Sequence, residues 1–202
     1  MLQKKDIIVL QMKIFFSEIC FQVSNVLNLQ TNVIIMSKLV ANSDIQIDKA
    51  VRSFVNKVEK ESNLSVVDKD LTYKKFLSSK LLIVHSIRRG IPYDLYEMIK
   101  ERSPFKQEDW AEFLGVSTRT LLRNKTKDNY VFESIPSEKI LELAEVTSLG
   151  KDVFDSEEQF YLWLNTPNFA LGNLKPFELM KDSYGKEMVM NELHKIDHGI
   201  FI

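Results

Sequence analysis

Apolar residues recur along this chain at the three-and-four spacing of helices, and no stretch alternates in the manner of a strand. Val51, Phe54, Val55 and Val58 fall on one face among charged residues, which predicts a helix over Asp48–Asn63. Leu64–Leu71 reads as a linker. Tyr73, Phe76, Leu77, Leu81, Val84 and Ile87 share the inner face of a single helix over Thr72–Arg89, which Gly90 ends. Ile91-Pro92 opens a third helix over Tyr93–Arg102, broken by Ser103-Pro104. After a loop at Asp128–Phe132, Pro136 starts a helix that Gly150 is expected to stop. Asp155 and Glu158 have capping-box spacing ahead of a helix bearing Phe160, Trp163 and Leu164, which stops at Pro167. Asn168–Lys175 reads as a turn, Pro176–Met180 as a short helix and Gly185–Ile196 as the last helix. The fold class expected is all-α, with no internal repeat of 20–50 residues.

One stretch, Phe105–Lys127, has the pattern of two short helices joined by a tight turn. Gln107 opens the first helix, and Ala111 is small where a second helix must cross. Gly115 sits at the turn, where a positive φ is free of steric cost only for glycine. Ser117 is placed to cap the second helix, and Leu121 falls on its inner face. No acidic residue occurs from Val116 to Thr126, while Arg119, Arg123, Lys125 and Lys127 bring positive charge. This predicts a helix-turn-helix that lays its second helix in a DNA groove. The expected DNA-binding residues are Gln107, Ser117, Thr118, Arg119, Thr120, Arg123, Lys125 and Lys127. The two lysines are assigned to phosphates only. Asn124 departs from the pattern, because the position three after Leu121 is usually apolar in such motifs. Specific readers commonly pair two half-sites, so a homodimer is expected, with contacts on the apolar faces of the 48–63 and 72–89 helices.

Composition narrows the picture without redirecting it. With 202 residues and a net charge of −1, DNA affinity has to come from a local patch rather than the whole surface. Lys151–Ile202 carries five Lys against nine Asp or Glu, a net of −4, which suits a basic partner. Cys20 is the single cysteine, so no internal disulfide or cysteine-based zinc site can form, and a reducing cytoplasm is expected. The apolar N-terminal stretch is interrupted by Lys4, Lys5, Asp6, Lys13 and Glu18, and its longest unbroken run, Ile7–Leu10, is too short for a signal-peptide core or a membrane span. Met1–Ile35 reads as an upstream extension ahead of a fresh start at Met36. His194 and His198, four apart, have no obvious third metal ligand. The glycines are dispersed and form no phosphate-cradling loop, so no enzyme, cofactor or metal is expected.

Beyond Leu149 the residues Val153-Phe154, Trp163-Leu164, Pro167-Asn168, Ala170-Leu171-Gly172, Pro176, Leu179 and Ile196-Asp197-His198-Gly199-Ile200 resemble the toxin-binding domain of the Xre/MbcA/ParS antitoxins. That family places an Xre-like helix-turn-helix just upstream, as here, and the resemblance runs from about Tyr73 to Ile202. It implies a type II antitoxin that neutralises a RES-like, NAD-consuming toxin by binding over its active site and represses its own operon. It divides the chain into an extension (1–47), a helical DNA-binding region (48–132) and a toxin-binding domain (133–202). In the last, Asn168, Leu171 and Lys175 are expected at the rim of the contact. The tail Asp197, His198, Gly199, Ile200, Phe201 and Ile202 is expected to plug the toxin's cleft. The alternative is a plain helix-turn-helix regulator whose C-terminal domain dimerises or senses a small molecule.

Overall fold

The computed structural model describes residues 42–61 and 70–200. The expected extension Met1–Ile35 with Cys20, most of the 64–71 linker, and Phe201 and Ile202 lie outside the described residues. The chain divides into one unit of Met1–Gln46, of which residues 42–46 are described and helical, and a second of Ile47–Ile202. The fold is all-α: among the described residues there is no strand, only the isolated antiparallel bridges Pro92–Val131 and Asn168–Leu174. The helices are α1 (residues 42–61), α2 (Tyr73–Ser78), α3 (Lys80–Arg89), α4 (Tyr93–Glu101), α5 (Gln107–Phe113), α6 (Thr118–Lys125), α7 (Ser134–Val153), α8 (Glu157–Leu164), α9 (Pro176–Leu179) and α10 (Ser183–Asp197). A 3-10 turn at Phe169–Leu171 lies between α8 and α9.

In the second unit, α7 is the central helix. It buries Ile140, Leu141, Leu143, Ala144 and Val146, and packs against α2, α3, α4, α8 and α10. A helix apolar on nearly all sides belongs in the middle of a core. Gly150 does not end it. The glycine is an interior notch, because a Cβ there would lie 2.3 Å from the Phe160 ring of α8. On the same helix, buried Glu145 accepts from Lys80 Nζ of α3 at 2.6 Å and from Lys186 Nζ of α10.

Three further expectations are corrected. The 72–89 helix is broken at Ser79, whose extended ψ of 95° separates α2 from α3. The break changes the phase, so Leu82 and Ile83 turn inward while Leu81 and Val84 stay exposed. The apolar face of α1 carries no surplus for a dimer contact, since Val51, Phe54, Val55 and Val58 are all buried in the chain's own core. The start of α8 is capped by Ser156, whose hydroxyl accepts from the Gln159 N–H, and not by the Asp155–Glu158 pair.

The entry to the helix-turn-helix is fixed through α7. The Ser137 hydroxyl accepts from the Ile91 N–H at 2.9 Å and donates to the Phe132 carbonyl at 3.1 Å, all out of water. Gly90, at φ +89°, lets the chain pass so close that a Cβ would meet the Phe132 oxygen at 2.3 Å. That is a requirement for glycine on two separate grounds.

Candidate functional site

The helix-turn-helix forms as α5 and α6, with a complete set of local signals. The Asp109 carboxylate accepts from the Lys106 N–H at 2.8 Å to start α5. At its end Gly115 takes φ +64°, its N–H donates to Glu112, and the Val116 N–H donates to the Ala111 carbonyl at 2.9 Å. This is a Schellman closure, which satisfies carbonyls that the helix leaves open. Ser117 then caps α6, its Oγ accepting from the Thr120 N–H at 3.1 Å. Trp110, fully buried, packs edge-on to Tyr96 and donates to the Ser103 hydroxyl, locking α5 onto α4.

The expected DNA contacts do not share one environment. Arg119 and Arg123 are exposed, with no ion pair among the described residues, and exposed Leu122 lies between them in sequence. Thr118 is half-buried at the helix start. The Ser117 and Thr120 hydroxyls lie 2.9 Å apart and bond to each other. Lys125 reaches back to the Glu97 carboxylate at 2.9 Å, and that hydrogen bond raises its pKa above the usual lysine value. Lys127 sits 5.1 Å from the centre of the Tyr130 ring. Gln107 is half-buried; its Oε1 accepts from Lys100 Nζ at 3.1 Å, while its Nε2 is buried and has no partner. Asn124, only 5% exposed, takes the inner-face position that an apolar residue would fill. The helix therefore keeps its orientation despite the polar substitution.

In the C-terminal half, Trp163 stands half-buried beside Phe154 and Phe160. The turn that follows is closed by more than its prolines. The Asn168 N–H donates to the Leu174 carbonyl at 3.0 Å, and the Asn168 side chain accepts from the Ala170 N–H at 2.9 Å. Gly172 and Asn173 both take positive φ. Leu171, expected at a contact rim, is 3% exposed and holds the turn from inside. A 3-10 turn has three residues per turn, so its successive side chains point in different directions; Leu171 points inward, while Phe169, at 81%, and Leu174 are exposed. Asn168 is half-buried and Lys175 exposed. Two exposed side chains on α10, Tyr184 and Met188, lie one turn apart on the outer face, and in the sequence only their size and hydrophobicity signal them.

The end of α10 repeats the closure seen at Gly115. Gly199 takes φ +69°, its N–H donates to Ile196, and the Ile200 N–H donates to the Lys195 carbonyl at 2.8 Å. Asp197, His198 and Gly199 are exposed, and Ile200 is 53% exposed.

Residues 83–145 match the antitoxin Xre-like helix-turn-helix domain family, and residues 149–199 match the antitoxin Xre/MbcA/ParS C-terminal toxin-binding domain family. An antitoxin Xre of Yersinia enterocolitica is 26% identical over 121 residues, covering 59% of this chain and 81% of that protein. An antitoxin Xre of Photorhabdus laumondii is 24% identical over 115 residues, covering 56% of this chain and 77% of that protein. A crystal structure of the M. tuberculosis MbcT–MbcA toxin–antitoxin complex includes a chain 22% identical, with a TM-score of 0.45, covering 53% of this chain and 94% of that one. Among the described residues, no helix is long and apolar enough to cross a membrane.

Proposed function

We propose that this chain, which belongs to the Xre/MbcA/ParS-type antitoxins, neutralises a RES-like, NAD-consuming toxin by lying over its active site. The observation that carries this reading is the state of Ile200. The Schellman closure at Gly199 completes α10, so the helix needs nothing more from Ile200, yet this apolar side chain keeps about half its surface in water. Covered by a partner, such a side chain contributes roughly 1.5–3 kcal/mol when fully buried. The tail Asp197–Ile202 then acts as the plug. Asn168 and Lys175 form the rim, with Phe169 and Leu174 in the place assigned to Leu171. The action is occupancy, with no chemistry asked of the antitoxin.

The test is to delete His198–Ile202, verify by circular dichroism that the helices still melt cooperatively, and assay inhibition of a co-expressed RES-like toxin. Lost inhibition with an unchanged melt is the expected result; full inhibition by the truncated chain rejects the plug.

The same reading gives the chain a second role as a cytoplasmic homodimer that represses its own operon through α6. Arg119 and Arg123 are the principal contacts, being the exposed α6 cations not committed to a carboxylate. The remaining exposed apolar stripe on α3, Leu81 and Val84, is the dimer contact. Replacing both arginines by alanine should abolish a gel shift with DNA from upstream of the gene. Light scattering that gives a monomer at high micromolar concentration would remove the dimer.

A further inference from the structure

Beside the C-terminal end of α6 lies a cleft of about 470 Å³ whose walls come from α1, the end of α3, the start of α4 and the turn after α6. Four cations line it: Lys57, Arg89, Lys125 and Lys127. Asp94 is the single carboxylate in the lining. Two of the cations are already engaged, Lys125 with Glu97 and Arg89 with Glu61. The other two are differently placed. Lys57 is exposed and has no ion pair among the described residues, and Lys127 rests over the Tyr130 ring, which orients it without neutralising it. Between Lys127 and Tyr130 the turn passes through Asn129 at φ +55°, and the Asp128 and Asn129 N–H groups donate to no backbone carbonyl among the described residues. Free backbone donors beside an uncommitted ammonium are what an anionic oxygen requires.

We infer that this cleft takes a phosphate of the DNA backbone, with Lys57 and Lys127 as its two cationic contacts. It extends the DNA surface from α6 onto α1, which lies outside the matched helix-turn-helix segment of residues 83–145. The inference rests on the reading of α6 as the DNA-contacting helix. DNA is favoured over an acidic protein because the cleft adjoins α6 and continues its positive charge, which carries no acid between Val116 and Thr126. The cleft reads no sequence, since phosphate contacts set register and affinity only.

The experiment measures binding of the full chain to a labelled duplex of the DNA upstream of its own gene, by fluorescence anisotropy across a series of KCl concentrations. Each phosphate neutralised contributes about −0.9 to the slope of log Kobs against log salt. The double variant Lys57→Ala/Lys127→Ala releases that one phosphate and should flatten the slope by about 0.9, with an unchanged thermal melt, because both side chains are exposed. Lys57→Arg/Lys127→Arg should keep it. Arg119→Ala/Arg123→Ala separates the two readings. If that variant loses affinity while the double lysine variant leaves the slope unaltered, the cleft is overturned and α6 stands. If the lysine variant flattens the slope while the arginine variant binds normally, the cleft stands and α6 is overturned. Wild-type protein that binds no duplex at the lowest salt overturns both.

Discussion

Replacing Glu145 by alanine should destabilise the protein by about 3 kcal/mol. The carboxylate is 9% exposed and is shared by two lysines of unequal standing. Lys80 has 77% of its side chain in water, so on losing its partner it simply hydrates, and its share is roughly 0–1 kcal/mol. Lys186 is 14% exposed, and without Glu145 its ammonium is left largely buried and unpaired. Breaking a buried pair in this way costs about 3–5 kcal/mol, and the residual exposure of Lys186 puts the value at the lower end. The assay is urea unfolding followed through Trp110 and Trp163 fluorescence. Lys80→Ala should cost less than about 1 kcal/mol, and Glu145→Leu/Lys186→Met should recover most of the loss by removing the charges together. A Glu145→Ala protein within experimental error of wild type, or a Lys80→Ala cost equal to that of the glutamate, would refute the reasoning.

Gly150→Ala should lower the melting temperature, because overpacking against the Phe160 ring costs about 1–3 kcal/mol and the gain in helix propensity returns only about 1; a raised melting point would contradict the notch. Gly185→Ala should be worse, since its Cβ would meet the Leu179 carbonyl oxygen at 2.0 Å and backbone cannot rotate away. Thermal scans of the two variants side by side check the order. Ser117→Ala should cost about 1 kcal/mol through the lost α6 cap, while Ser117→Asp, measured in the same urea titration, should restore most of it.

Signals that act over a few residues were legible in the sequence. Gly115 and Ser117 fix the turn and cap of the helix-turn-helix by local hydrogen bonds, and both stand where their chemistry put them. What failed depended on distant neighbours. Gly150 has the composition of a helix stop, but its missing side chain is filled by Phe160, ten residues on, a contact no local pattern announces. The break at Ser79 involves neither glycine nor proline. The α2 start before it is held by a bond from the Tyr73 N–H to Asp48, twenty-five residues away. For the candidate site, Leu171 and Phe169 have similar apolarity, and only the geometry of the 3-10 turn decides which faces out.

The central helix also decides what kinds of genetic change the protein can absorb. The two matched segments, 83–145 and 149–199, meet inside α7, with no loop between them. A recombination that exchanged C-terminal halves between relatives would have to splice one helix in mid-turn. A single residue gained at the junction turns everything after it by about 100° and advances it about 1.5 Å. Lys186 would leave Glu145, and Val146 would leave the core. A gain of seven residues restores the phase to within about 20°, but lengthens the helix by roughly 10 Å. New partner preferences should therefore accumulate by substitution at exposed positions such as Phe169, Leu174 and Ile200, and not by the shuffling of whole modules.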